Sequence, residues 1–360
     1  MSAHLFSGGE VLLDRYKIDA FLDQGGMQEV FVSTDRRFGR KVVLKAPKND
    51  SAEKRFARSA QMSARVTHAN VAKTLDYIVV EERNYLIEEY VQGADLRRLL
   101  EDKFFYLDPH LAARLFHQLA KGVAASHHVG VFHRDLKPSN IIVGPDPNLT
   151  TVKITDFGIA KMTEHEMVEG VDMKDHSSVT GSQTVLGALP YMAPEMILTQ
   201  KQATLPADIW ALGAILYHLV SGTLPFGSGL AAIPTILQAD LPSKPDLFIR
   251  KPQFSPLTTE LWGIVQACLQ KKATQRPNAD DLVAMCSKLC YSDAKRLEGN
   301  IARYRHGTGN WGFLKVNGGS SVFFHLDSYY GDAPTLGQSV NFATFEGQPE
   351  PRAFPVLPLK

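Results

Sequence analysis

The sequence predicts an α+β chain in which a β-rich lobe is followed by a helical lobe and then by a small all-β module. Short runs of alternating apolar and polar residues fill the first ninety positions, whereas apolar residues recur every three and four positions from Ala94 to Leu289. After Cys290 the chain becomes rich in glycine and aromatic residues. A chain of 360 residues has room for one large domain and one small one.

In the first lobe, alternation predicts half-buried strands around 30–32, 42–44, 72–80 and 85–90. Between the second and third of these, Asp50 with Glu53 three residues later is the capping-box pattern that begins a helix. In the second lobe the apolar spacing predicts helices at 96–100, 109–128, 207–221, 258–269 and 279–289.

The third module has strand-like runs at 311–316, 321–326 and 339–345, separated by glycine-containing turns. The predicted organisation is therefore an N-terminal segment 1–15, a domain 16–290 with lobes 16–91 and 92–290, a linker 291–298 and a barrel module 299–360.

The bulk properties exclude some classes of partner. A net charge of +1 gives no global attraction to nucleic acid or to anionic lipid, so any such binding must be local. The longest apolar run, 209–220, contains His218 and is typical of a buried helix, so no membrane partner is expected. Residues 1–10 lack the pattern of a secretory signal, and three cysteines suit a reducing compartment, which predicts a cytoplasmic location.

Ordered motifs then point to a family. Residues 133–140 read HRDLKPSN, residues 156–158 read DFG and residues 193–195 read APE. In this order and spacing they make the chain from about 16 to 290 resemble a bacterial eukaryotic-like (Hanks-type) serine/threonine protein kinase. The resemblance implies the two-lobed protein-kinase fold.

The resemblance also implies a reaction that uses ATP with Mg²⁺ or Mn²⁺ and takes Ser and Thr hydroxyls of proteins as substrates. Asp135 would orient the hydroxyl and accept its proton, and Lys137 would contact the γ-phosphate. Asn140 and Asp156 would supply hard oxygen ligands for the metal, while Lys45 would hold the α- and β-phosphates.

The nucleotide pocket implied by the family is formed by the glycine loop, two valines and the segment between the lobes: Gly25, Val30, Val43, Glu88, Glu89 and Val91. Structural roles follow for Asp208, which would anchor the catalytic loop, and for Glu195 with Arg276, which would form a buried ion pair.

The sequence departs from the family pattern in the glycine loop and in the activation segment. Only Gly25 of the three loop glycines is kept, because Asp23 and Gln28 replace the outer two. Side chains there restrict close backbone approach to phosphates, which predicts weaker ATP binding. Ala188 replaces the threonine that bridges the catalytic aspartate and lysine in relatives.

A further pair of departures is connected. Ser59 stands where the helix glutamate that pairs with Lys45 is expected, and Glu88 stands at the gatekeeper position, which is normally apolar. A buried carboxylate is costly unless it is paired. We therefore predict that Glu88 has become the counter-ion of Lys45.

The segment between Gly158 and Ala193 is the expected activation segment, and Arg134 is the cation that would dock a phosphorylated residue within it. The candidate phosphosites are Thr180 and Thr184, then Ser177, Ser178 and Ser182.

Residues 299–360 resemble a cold-shock domain, a five-stranded OB-type barrel. Its aromatic motifs imply base stacking on single-stranded RNA or DNA, at Tyr304, Trp311, Phe313, Phe323 and His325. The acids and bases of this module balance, which predicts a shallow salt dependence. A structural or autoregulatory role is the alternative for the module. For the whole chain the alternatives to an enzyme are a pseudokinase scaffold and an RNA-binding adaptor.

Overall fold

The computed structural model describes residues 4–24, 28–48, 56–57, 60–157, 186–198, 204–305, 307, 309–316 and 319–360. Several predicted positions lie outside the described residues: Gly25, Ser59, Ser177, Ser178, Thr180, Ser182 and Thr184.

The N-terminal lobe is a six-stranded antiparallel sheet with strand order β1-β2-β3-β4-β6-β5. Its strands are β1 (Val11–Leu12), β2 (Tyr16–Gln24), β3 (Gln28–Asp35), β4 (Arg40–Pro47), β5 (Thr74–Val80) and β6 (Arg83–Glu89). Alternation sends Ile18, Phe31, Val42 and Leu44 into one fully buried cluster. The opposite face is therefore free to form the wall of a cleft.

The second lobe is helical, and the described helices are α1 (Leu96–Asp102), α2 (Pro109–His128), α3 (Pro194–Leu198), α4 (Leu205–Ser221), α5 (Ala232–Gln238), α6 (Asp246–Arg250), α7 (Leu257–Cys268) and α8 (Ala279–Ser287). A small sheet of β7 (Ala94–Asp95), β8 (Ile141–Val143) and β9 (Val152–Ile154) lies beside them. Among the described helices, none has the length and apolarity needed to cross a bilayer.

Helix boundaries follow local chemistry. Asp108 caps α2 by accepting hydrogen bonds from the backbone N–H groups of His110 and Leu111, and Pro109 occupies the first turn. Helix α4 ends at Ser221 and is capped by Gly222, whose φ of 72° suits glycine; a Cβ there would lie 2.3 Å from the Phe105 carbonyl oxygen. Helix α4 is buried on almost every side and forms the centre of this lobe.

The C-terminal module is a closed barrel with strand order β10-β11-β12-β14-β13. Its strands are β10 (Arg296–Arg305), β11 (Trp311–Val316), β12 (Ser321–His325), β13 (Ser339–Phe345) and β14 (Arg352–Pro358). The barrel has its own buried core, which includes Ile301, Leu314, Phe324 and Phe342. Strand β10 begins at Arg296, inside the segment predicted as a linker.

The barrel is packed against the helical lobe. Tyr330, Leu357 and Leu359 of the barrel belong to the same buried cluster as the helical core. Phe254 of the lobe stacks on Phe354 with ring centroids 5.1 Å apart. The two units are thus joined by a continuous apolar core as well as by the chain.

Candidate active site

The loop that follows α2 is held by a buried aspartate of α4. Asp208 accepts hydrogen bonds from the backbone N–H of His133 (2.8 Å) and of Arg134 (2.9 Å), as expected from the sequence. Burial acts to raise the pKa of Asp208, but hydrogen bonds, first of all with His127, outweigh it and lower the pKa. The φ of Arg134 is 66°, so the loop is kept in a conformation that L-residues rarely adopt.

This loop presents three of the predicted catalytic side chains together. The Lys137 ammonium lies 2.8 Å from a carboxylate oxygen of Asp135. The Asn140 side-chain amide donates to the backbone carbonyl of Asp135 at 2.8 Å and to its carboxylate at 3.2 Å. Ala188 is buried, and Asp135 meets Lys137 directly. The group can therefore orient a hydroxyl and neutralise charge beside it.

Across the cleft, Lys45 lies between two carboxylates. Its ammonium is 2.8 Å from Asp156 and forms an ion pair with Glu88. Strand pairing explains the second contact, since Glu88 lies directly opposite Val43, which faces the same side of the sheet as Lys45. The predicted pairing of Glu88 with Lys45 is confirmed.

The three charges perturb one another. Burial acts to lower the pKa of Lys45, but Asp156 and Glu88 outweigh it and raise the pKa. Burial raises the pKa of Glu88 against the opposing effect of Lys45. For Asp156, burial acts to raise the pKa, but the Lys45 ammonium outweighs it and lowers the pKa.

Asn140 and Asp156 suit a hard divalent cation. The Asn140 amide nitrogen donates to Asp135, and within the described ranges its carbonyl oxygen has only a long contact from Ser139 at 3.4 Å. Asp156 has a φ of 62°, another strained position at the cleft. Among the described residues no group of three or more His, Cys, Asp or Glu side chains is poised for a metal. One carboxylate and one amide oxygen match Mg²⁺, which keeps waters and phosphate oxygens as its other ligands.

Several residues predicted to line a nucleotide pocket lie near Lys45 in the sheet or directly after it. Val30 is paired with Lys45 across β3 and β4, and both Val30 and Val43 are half-buried. Val91 follows β6 and is also half-buried. The Glu89 backbone N–H donates to the backbone carbonyl oxygen of Lys73 at 2.9 Å. The predicted hydrogen bond between the Glu89 backbone and adenine would therefore use the Glu89 carbonyl oxygen.

The structure adds a residue whose role the sequence reasoning missed. Gln28, noted only as a replaced glycine, donates from its amide to Asp156 at 3.0 Å and is 7% exposed. A long polar side chain at a glycine position was the only signal in the sequence for this contact.

The expected ion pair of Glu195 with Arg276 is confirmed by two contacts at 2.6 and 2.9 Å.

On the outer face of the barrel, three predicted aromatic side chains form a cluster. Trp311 stacks on Phe323 at 6.3 Å, and Phe313 meets both edge-on. His325 is exposed opposite Trp311. Tyr304 is not brought to the cluster: it pairs with Gly312, so alternation turns it to the other face, where it packs against the barrel core.

Comparison with known proteins agrees with this geometry. Residues 16–286 match the protein kinase domain family. The chain is 36% identical over 226 residues to a probable serine/threonine-protein kinase PknB of Corynebacterium glutamicum, covering 60% of this chain and 33% of the relative. It is 31% identical over 276 residues to the serine/threonine-protein kinase pkn3 of Myxococcus xanthus, covering 75% and 48% respectively. The chain thus spans between a third and a half of these relatives.

The fold resembles that in the crystal structure of Rad53 1-466 in complex with AMP-PNP, with a TM-score of 0.58 and 22% identity over 75% of this chain and 64% of that one. This likeness concerns the fold alone. Together with the match that extends over most of the chain, it leads to one conclusion about identity: this protein belongs to the protein kinase family.

Proposed function

We propose that the protein transfers the γ-phosphoryl group of ATP, with Mg²⁺ or Mn²⁺, to Ser and Thr hydroxyls of proteins. The observation that carries this is the 2.8 Å contact between Lys45 and Asp156, which brings the phosphate-binding and metal-binding groups together. In a degenerate site one of these groups would be lost or turned away. Here both face one cleft, and Asp135 and Lys137 lie in the same lobe as Asp156.

The residues divide the reaction between them. Asp135 accepts the proton as the substrate hydroxyl oxygen bonds to the γ-phosphorus, and the bond from that phosphorus to the β–γ bridging oxygen breaks so that ADP leaves. Lys137 and Lys45 neutralise charge on the phosphate oxygens. A cation held by Asn140 and Asp156 would neutralise the remaining phosphate charge. Lys137, placed two residues after Asp135, favours Ser and Thr over Tyr as in the family it resembles.

Autophosphorylation belongs to this proposal. Arg134 stands next to Asp135 in the anchored loop, where it suits docking of a phosphorylated residue of the activation segment. Thr180 and Thr184 remain the preferred positions. Mass spectrometry of active protein should find phosphate within 159–192, and its complete absence there would contradict this part of the proposal.

Incubation of the full chain with labelled ATP and Mg²⁺ tests the activity. Asp156→Ala should abolish label transfer, whereas the matched variant Asp102→Ala, at an exposed position of α1, should behave as the wild type. A wild-type protein that binds a fluorescent ADP but transfers nothing would favour a pseudokinase scaffold instead.

A second activity, binding of single-stranded RNA or DNA by the barrel, is supported by the aromatic cluster and the cations beside it. Arg303 lies over Trp311 and Phe313 at 5.5 and 5.3 Å, Arg305 lies over Trp311 at 5.5 Å, and Arg352 lies 5.9 Å from Phe323. Half-buried rings beside guanidinium groups suit stacked bases and a phosphate backbone. The closed five-stranded barrel is consistent with the predicted OB-type, cold-shock-like domain.

The charges of the barrel are balanced in number, but two of its acids pair with cations of the helical lobe. Glu298 pairs with Lys103 at 2.7 Å and Asp332 with Arg250 at 2.6 Å, so both acids face the helical lobe. Arg303, Arg305 and Arg352 lie beside the aromatic rings. We therefore expect a steeper salt dependence than the balanced composition suggests, with a slope of about −2 in log affinity against log salt if three phosphates are contacted.

Titration of the full chain with a fluorescent oligonucleotide, in RNA and DNA forms, tests this activity. Trp311→Ala should weaken binding by about 1–3 kcal/mol. Leu336→Ala, at an exposed apolar position of the barrel away from the cluster, is the control. Equal affinities for wild type and Trp311→Ala would favour a structural or autoregulatory barrel.

A further inference from the structure

Gln28 makes a contact across the cleft that a glycine at this position cannot make. Its amide nitrogen donates to Asp156 Oδ1 at 3.0 Å, and the same oxygen accepts from Lys45 at 2.8 Å. Gln28 begins β3 beside the glycine loop, whereas Asp156 follows β9 in the other lobe. The side chain therefore links the loop strand directly to the metal-binding carboxylate.

Of the two polar atoms of the Gln28 side-chain amide, the nitrogen has a hydrogen-bond partner and the oxygen has none among the described residues. Its oxygen Oε1 is buried and has no hydrogen-bond partner among the described residues, although the residue is only 7% exposed. A buried acceptor without a partner is unfavourable and is expected to have one in the functional state. Because the oxygen belongs to the same planar group as the donating nitrogen, it lies beside Asp156 as well.

The chemistry of that oxygen selects its partner. Phosphate oxygens are acceptors at neutral pH, so a nucleotide phosphate cannot satisfy it. A divalent cation or a water bound to one can, because amide oxygens are hard ligands that Mg²⁺ and Mn²⁺ accept. The nearby Asn140 offers the same type of oxygen.

We propose that Gln28 is a positioning residue for the catalytic metal: its nitrogen orients Asp156 and its oxygen binds the hydrated cation. This rests on the proposed kinase function and deepens it. Gln28, which stands where the family has a glycine, thus compensates for the altered loop. The loop backbone would hold the phosphates more weakly, and the Gln28 side chain adds a contact to the metal.

The test measures metal binding rather than turnover. Mn²⁺ is titrated into the full chain saturated with ADP and followed by electron paramagnetic resonance, for wild type, Gln28→Glu and Gln28→Met. Glutamate keeps an oxygen and loses the N–H donor, whereas methionine has similar length and loses both. Gln348→Met is the matched control, because Gln348 is exposed in the barrel and is not part of the cleft.

We expect Gln28→Met to weaken Mn²⁺ binding by about tenfold, as loss of groups that support metal ligands does elsewhere. Gln28→Glu should bind Mn²⁺ at least as well as wild type. Equal weakening in both variants would overturn the role of the oxygen, and no change in either would overturn the whole inference. A protein that binds Mn²⁺ and ADP but transfers no phosphate would refute the proposed activity, while the two variants would still decide the role of Gln28.

Discussion

Two buried ionic clusters of this protein look alike and differ in their charge. In the cleft, Lys45 is shared by Glu88 and Asp156. At the junction between the helical lobe and the barrel, Arg296 meets Asp108 at 2.6 Å, and both side chains are almost fully buried. One cluster has two carboxylates for one cation, and the other has one for one.

The junction cluster is closed. Arg296 donates to Asp108 and to the Asn341 side-chain oxygen, while the other oxygen of Asp108 caps α2. The cleft cluster is open, with a surplus negative charge and a Gln28 oxygen that has no hydrogen-bond partner within the described part of the chain. A closed cluster holds parts of a fold together, whereas an open one is suited to receive a cation and a phosphate.

The largest effect on stability is expected at the closed cluster. Arg296→Met should lower the free energy of unfolding by about 3–5 kcal/mol, because Asp108 would be left buried without its cation. Urea denaturation of the full chain measures this. Phosphotransfer by the fraction that remains folded should change much less.

The exposed pair of Arg250 with Asp332 at the same junction provides the control. Arg250→Met should leave the denaturation midpoint close to that of wild type, because exposed pairs contribute little. If both variants lost the same stability, the closed cluster would have no special structural role.

At the open cluster the expected loss of stability is smaller and the expected loss of activity is larger. Glu88→Met leaves Lys45 paired with Asp156, so the loss of stability should be smaller than at Arg296. Activity should fall by more than about tenfold, since Lys45 is then held by a group that must also bind the metal. Initial rates of label transfer and the denaturation midpoint, measured on one preparation, separate the two effects.

A rescue variant sharpens this prediction. Adding Ser59→Glu to Glu88→Met places the carboxylate where the family pattern leads us to expect it, and it should recover part of the activity. Full activity of Glu88→Met alone would show that Lys45 needs no second carboxylate.

The sequence allowed one of these clusters to be predicted. Ser59 and Glu88 are both abnormal for the family, and the expected strand register brings Glu88 to Lys45. The junction gave no such signal, because Asp108 reads as an ordinary helix cap and Arg296 as part of a charged linker. Their meeting depends on how a barrel docks on a helix start, which neither local propensity nor a motif encodes.

The contrast between local signals and contacts between distant parts of the chain also explains where the other predictions agree with the structure and where they differ. Strands 311–316 and 339–345 were predicted correctly because alternation and glycine turns determine them locally. The balanced charge of the barrel concealed the pairing of Glu298 and Asp332 with the helical lobe, since composition contains no positions. Gln28 looked like a defect, because the contact with Asp156 spans two lobes.

The smallest predicted effect concerns pH at the junction. His110 lies next to the Arg296–Asp108 pair and meets the stacked rings of Phe254 and Phe354 edge-on, and its Nδ1 accepts from the Ser292 backbone N–H at 3.0 Å. Burial, helped by Arg296 and opposed by Asp108, lowers its pKa below the ordinary value of 6.5.

A lowered pKa means that the folded protein holds His110 neutral, while the unfolded chain protonates it near 6.5. Its contribution to stability is therefore present above that pH and is lost as the pH falls below it.

Thermal unfolding between about pH 7.5 and about pH 5.5 tests this. The acid-induced decrease in the unfolding temperature should be smaller for His110→Gln than for wild type, because glutamine can accept the same hydrogen bond without titrating. Other buried histidines, among them His218 with its pKa lowered to about 4 by burial, act in the same direction and remain in both proteins. The exposed His128→Gln variant serves as the matched substitution. Parallel pH profiles for wild type and His110→Gln would place the acid sensitivity elsewhere and would leave the junction as a purely ionic and apolar contact.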